Sequence, residues 1–101
     1  MTAITEGALK QTFIAARQLA DGRWIALGKL LFTTGLFVDV DLVGYDHRYC
    51  YETEGDARAA FAAWDGTGHP SGNWIKRKGG GGGDLLNPDF LKRAGSQTLH
   101  T

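Results

Sequence analysis

The sequence predicts an α+β protein: an antiparallel β-meander of four or five strands with one α-helix packed on it, followed by a flexible glycine-rich C-terminal segment. Three observations predict it. From Arg23 to Glu52 the chain is a series of apolar runs, rich in β-branched and aromatic residues and cut by glycines, which is the sequence form of antiparallel strands joined by tight turns. Within it, Leu36, Val38, Val40 and Leu42 alternate with Phe37, Asp39, Asp41 and Val43, so a strand would bury the first set and turn its acids to water. Farther on, Ala57, Ala60, Phe61 and Trp64 recur at i, i+3, i+4 and i+7, the stripe of an amphipathic helix.

Residues 8–18 suit a helix as well as a strand, and the Asp21-Gly22 pair that follows decides for a strand. Asp-Gly between two apolar runs signals a hairpin, because both central positions of a type I′ turn take positive φ. A first strand is therefore expected at residues 12–19, paired with a second at 23–33. The second is apolar on both sides: Trp24, Ala26, Leu30 and Phe32 on one, Ile25, Leu27 and Leu31 on the other. Such a strand is covered above and below, or leaves an apolar face for a partner. Thr34-Gly35 supplies the next turn, and a third strand follows at 36–43. Beyond Gly44, a fourth at 45–52 sets Tyr45, His47, Tyr49 and Tyr51 against Asp46, Arg48, Cys50 and Glu52, and the tyrosines are expected to pack.

The helix is expected at 54–65. Thr53 is a good N-cap, and Glu54 and Asp56 in the first turn answer the free amides and the macrodipole. Gly66 stops it, and Gly68-His69-Pro70-Ser71-Gly72 forbids continuation. Residues 73–78 allow a fifth short strand. Five glycines, 79–83, pack nothing and carry a large ordering entropy, so residues 1–78 make one domain, 79–83 a flexible loop or linker, and 84–101 a tail. The tail can dock only through Leu85, Leu86, Phe90 and Leu91, and residues 94–101 are expected to fray.

A chain of 101 residues has room for one modest core. No apolar run approaches the roughly 20 residues that cross a bilayer, and the N-terminus lacks the basic start and apolar centre of a signal peptide, so a cytoplasmic protein is expected. The one cysteine, Cys50, forms no internal disulfide. Net charge is zero, but residues 1–75 hold 6 Lys/Arg against 9 Asp/Glu, while residues 76–101 hold 5 against 2. An acidic body with a basic tail excludes a protein whose whole surface binds nucleic acid, and leaves room for a local contact.

No motif carries catalysis. The glycine run is followed by Asp84, where a phosphate loop needs lysine and a hydroxyl. Asp39 and Asp41, with Asp46, His47 and Glu52 nearby, could gather a hard cation, but acid alternation on a solvent face is what any half-buried strand shows and is the favoured reading. His47, His69 and His100 lack zinc spacing, and Cys50, between two tyrosines, reads as a core thiol. No catalytic residue, cofactor or metal is therefore predicted, and the chain reads as a non-enzymatic binding protein. Two surfaces could bind. Asp39, Asp41, Asp46, Glu52, Glu54 and Asp56 fall within 18 residues opposed only by Arg48, and together would make a negative patch that imitates nucleic-acid phosphates. Trp74 beside Lys76, Arg77 and Lys78 pairs an aromatic with cations, as nucleic-acid contacts do, or else forms an edge strand whose cations stay solvated.

The stretch Arg48-Tyr49-Cys50-Tyr51-Glu52, the alanine-rich helix running to Trp64-Asp65-Gly66, and Gly72-Asn73-Trp74-Ile75-Lys76-Arg77-Lys78-Gly79 with Asn87-Pro88 resemble small proteins carried by bacteriophages and prophages, over about the second half of the chain. The resemblance implies a small accessory or anti-defence protein, of the kind that includes anti-CRISPR inhibitors, acting on a bacterial host protein that handles nucleic acid. Direct nucleic-acid binding and a part in phage-particle assembly are the alternatives. No membrane partner is expected, and the sequence leaves the oligomeric state open, a homodimer included.

Overall fold

The structure is a computed structural model and describes residues 4–80 and 83–92. It is α+β, with a six-stranded antiparallel sheet in simple chain order, where the sequence predicted four or five strands. The elements are α1 (Glu6–Leu9), β1 (Ala15–Gln18), β2 (Trp24–Lys29), β3 (Thr34–Val38), β4 (His47–Tyr51), α2 (Glu54–Ala63), β5 (Trp74–Gly79) and β6 (Leu85–Leu86); residues 88–92 are helical as well. The meander and the packed helix are as expected. The N-terminal helix, the helical segment at 88–92 and a sixth strand are additions to the expected one helix and five strands.

The first four expected strands are present but shorter, while the fifth keeps its expected length at Trp74–Gly79; the turns explain the shortening. At the Asp21-Gly22 hairpin only Gly22 takes positive φ (97°), so the turn is not type I′. Leu19 N–H donates to Arg23 O at 2.7 Å across a three-residue loop, and the Asp21 carboxylate binds Arg23 through both its amide (3.0 Å) and its Nε (2.8 Å). The next turn lies at residues 30–33, closed by Leu30 N–H on Thr33 O at 2.9 Å. Thr34 and Gly35, expected as turn residues, are buried inside β3, while Leu31 and Phe32 stand exposed at the tip. The third strand ends at Val38 because Asp39 adopts φ 58°, a left-handed backbone that Asp tolerates better than most residues. That turn sends Val40 to the opposite face from Leu36 and Val38, and Leu42 to solvent.

The sheet is covered on both sides. On one face Ile25, Leu27, Leu36, Val38, Tyr49 and Tyr51 pack under the Ala57, Ala60, Phe61 and Trp64 stripe of α2, as the helical spacing predicted. Thr53 Oγ1 caps that helix, accepting from Asp56 N–H at 3.1 Å. On the other face α1 packs on β1, and Leu9, Ala16, Ala26, Phe37 and Val40 form a smaller core. The doubly apolar β2 is thus an inner strand buried from both sides. No helix among the described residues is long and apolar enough to cross a membrane.

Of the four apolar residues expected to dock the tail only Phe90 is part-buried, and the anchoring is chiefly polar. Leu85, Leu86 and Leu91 are exposed, and β6 holds through backbone pairing with Lys76 and Arg77. Asn87, buried, anchors it: its amide donates to Ile75 O at 2.9 Å and its Nδ2 to Trp74 O at 2.7 Å. The glycine run therefore connects two paired strands, with Gly79 N–H donating to Asp84 Oδ1 at 3.1 Å. Residues 94–101, expected to fray, and His100 lie outside the described residues.

Candidate nucleic-acid interface

Antiparallel partners directly opposite each other share a face, and the register of β3, β4 and β5 therefore decides which side chains meet. Phe37 lies opposite Arg48 and Arg48 opposite Lys78, one row; Gly35, Cys50 and Lys76 form the next. Phe37 belongs to the α1-side core, so Arg48, Lys76 and Lys78 project on that side. α1 packs on β1, away from β4 and β5, and all three cations remain part-exposed. Among the described residues none of the three forms an ion pair. Cys50 lies buried among them, a core thiol as expected.

Tyr45 borders this cationic strip. Arg48 Nη1 donates to its hydroxyl at 2.6 Å, while its ring stands edge-on to Phe37 with centroids 4.7 Å apart, and Phe37 in turn meets Phe13 at 5.1 Å. Burial works to lower the pKa of the Arg48 guanidinium, but hydrogen bonds with the Cys50 and Tyr45 side chains outweigh it and leave the value raised. The charge is fixed in place. Beside the three rings, between α1 and the loop over residues 41–45, opens a cavity of about 280 Å³ whose walls include Leu9, Thr12, Asp41 and Val43.

Trp74 and Arg77 are not on this surface. A bulge between Cys50 and Tyr51 pairs Cys50 with Lys76 but Tyr51 with Trp74, leaving Ile75 over. Trp74 therefore turns into the α2-side core, 5.1 Å from the Tyr49 and His69 rings, with only 4% of its surface exposed. Arg77 also faces that side. Its Nη2 donates to Gly83 O at 3.0 Å, while the Tyr49 hydroxyl meets His69 Nδ1 at 2.8 Å. Of the predicted basic cluster, Lys76 and Lys78 stay on the open face and Arg48 joins them.

The predicted acidic residues divide into two groups. Asp39, Asp41 and Asp46 lie in the loop before β4, whereas Glu52, Glu54 and Asp56 lie beyond its other end, so the five-residue strand separates them by roughly 17 Å. They do not form one patch. Asp39 and Asp41 also share no strand face, since both lie in a loop. Asp41 Oδ1 accepts from Gly44 and Val43 N–H, each at 2.7 Å, and these bonds hold its carboxyl below the usual range. Asp46 Oδ2 sits 2.7 Å from His47 Nδ1. Glu54 pairs with Arg58 at 2.8 Å and Lys29 at 3.7 Å, which lowers its pKa, the Arg58 hydrogen bond most. Among the described residues no three His, Cys, Asp or Glu side chains gather as a metal site.

Tyr45 and Arg48 were absent from the sequence-based candidates for nucleic-acid contact. Their signal was the alternation of Arg48 in one strand with Lys76 and Lys78 in another, legible only once the strand register is known. The chain matches no known protein family, no curated protein and no solved structure.

Proposed function

We propose that the protein is a small nucleic-acid-binding accessory protein that holds a phosphate backbone on the open face of β4 and β5. The observation that carries this reading is the cross-strand alignment of Arg48 with Lys78, and of Cys50 with Lys76, which sets on adjacent strands three cations that form no ion pair among the described residues. Neighbouring strands lie about 4.8 Å apart, so the three charges form a compact strip able to neutralise successive phosphates. Zero net charge leaves no general attraction for a polyanion, so the contact is local to this strip, and the acids of the 39–46 loop hold the phosphates on the cations.

Fluorescence anisotropy with a labelled oligonucleotide across a salt series tests it. Three phosphate contacts on a single strand give a slope of log affinity against log salt of about −2, and Lys76→Gln with Lys78→Gln reduces it to about −1 or less. An affinity that ignores salt, or a double variant that binds as the parent does, overturns the reading.

A second reading follows from the 39–46 loop. Asp39, Asp41 and Asp46 accompany Val43, 97% exposed, and Leu42, 52% exposed, which suits a protein contact with a basic partner. It accords with the resemblance to phage anti-defence proteins, whose partner would be a bacterial nucleic-acid-processing or defence protein. Under this reading, Asp39→Asn with Asp41→Asn slows association with a co-purifying host protein and flattens its salt dependence. Unchanged association would exclude it.

A further inference from the structure

Resting on the nucleic-acid reading, we infer that the bound nucleic acid is single-stranded, and that one of its bases enters the cavity between α1 and the 41–45 loop, against Tyr45 and Phe37. The cavity adjoins the cationic strip, since Phe37 in its wall is the direct cross-strand neighbour of Arg48, which lies opposite Lys78. A nucleotide bound across this row has its phosphate on Lys78 and Arg48 and its base one strand farther in, at the aromatic wall.

The wall is aromatic, with Tyr45 its exposed ring and Phe37 behind it. Phe13, Phe37 and Tyr45 form a run of edge and tilted contacts at 5.1 and 4.7 Å, and the Arg48 bond to the Tyr45 hydroxyl holds the outermost ring in place. Tyr45 keeps 40% of its surface exposed and Val43 at the mouth 97%, so the cavity is open to a ligand from solvent. Asp41 in the lining is an anion held by two backbone amides, which turns a phosphate away from the cavity and toward the cations. In a duplex the bases are stacked inside and reach such a cavity only by flipping, at a cost of unpairing; in a single strand they are free to splay onto aromatic side chains.

The test compares three labelled or competing polyanions on the full chain: a single-stranded oligonucleotide, the same sequence as a duplex, and inorganic polyphosphate. The single strand is expected to bind at least tenfold tighter than the other two. Tyr45→Ala is expected to weaken single-strand binding about tenfold, in line with the loss of one base–aromatic stack, and to leave polyphosphate binding within about twofold. Val43→Glu, at a position so exposed that the fold does not depend on it, is expected to weaken the single strand selectively too, by placing a charge at the cavity mouth. Equal affinity for all three polyanions, or single-strand binding that ignores both substitutions, overturns the inference and leaves the backbone-binding reading intact; the second outcome would leave the cavity to an apolar side chain of a protein partner. Failure of all three polyanions to bind overturns both.

Discussion

The Arg17 guanidinium, in β1, closes the C-terminal end of α2 from 44 residues away, donating to Phe61 O from Nε at 2.9 Å and Nη2 at 2.6 Å, with Nη2 also on the Trp64 carbonyl. Its carbon centre lies 5.4 Å from the Phe61 ring centroid. The last carbonyls of a helix have no internal partner and carry the negative end of its dipole, and the last turn of α2 holds no basic residue of its own.

Replacing Arg17 by Met keeps the apolar stem and removes the donors. The expected loss is about 2 kcal/mol in urea unfolding, the usual scale for charged hydrogen bonds to part-buried carbonyls. Arg17→Lys should recover less than half, since one ammonium cannot reproduce the fork. A loss under about 0.5 kcal/mol would mean that water serves those carbonyls equally well.

Two glycine substitutions should act in opposite directions. A Cβ on Gly35 would lie 2.8 Å from Phe37 Cε1, so Gly35→Ala must displace that ring and is expected to cost about 1–3 kcal/mol. Gly55, in the first turn of α2, has open space around it, and Gly55→Ala is expected to stabilise by about 0.5–1 kcal/mol. Chemical denaturation of the pair checks both; a neutral Gly35→Ala would mean that Phe37 moves freely, which also weakens the aromatic wall proposed above.

Asn87→Ala removes the donor to Trp74 O and leaves a buried carbonyl unpaired. β6 has only two paired positions beyond it, so the strand should detach locally rather than unfold the sheet. Hydrogen exchange of the β5–β6 amides is expected to speed about tenfold or more, while β2 and β3 amides keep their protection. Uniform protection across all strands would contradict the anchoring role.

Alkaline pH should unfold the protein through its tyrosines. Burial raises the Tyr49 and Tyr51 phenols above their ordinary value, for Tyr49 against a smaller opposing pull from Arg77. Below about pH 10 both folded and unfolded phenols are neutral and the contribution is full; as pH rises further the unfolded chain releases protons that the folded one retains, so stability falls. Thermal melts from pH 8 to 11 should show the decline, and Tyr51→Phe should flatten it. An identical slope in the variant would assign the alkaline loss to other groups.

The sheet and the helix were legible in the sequence because their signals are local. Thr53, the Ala57–Trp64 stripe and the Asp-Gly hairpin position act through neighbours three or four residues away, and β2 declared its double burial by being apolar at every alternate position. Strand ends were less legible. Asp39 stops β3 through one positive φ, and nothing in the alternation of Leu36 to Val43 distinguishes a strand that continues from one that turns. The sixth strand escaped because its docking rests on Asn87 and backbone pairing, which leave no apolar pattern.

By itself the sequence determined an α+β protein with an antiparallel meander, a capped helix packed across it, and a confined basic segment near the C-terminus. Only the tertiary structure decided which charges meet. The bulge at Cys50/Tyr51 reverses the parity between Trp74 and Lys76, burying the tryptophan while Lys76 and Lys78 join Arg48 in the open, and the length of β4 holds the two acidic groups apart. Faces and distances between strands depend on register, and register is fixed by pairing between residues far apart in the chain, which periodicity within one strand cannot carry.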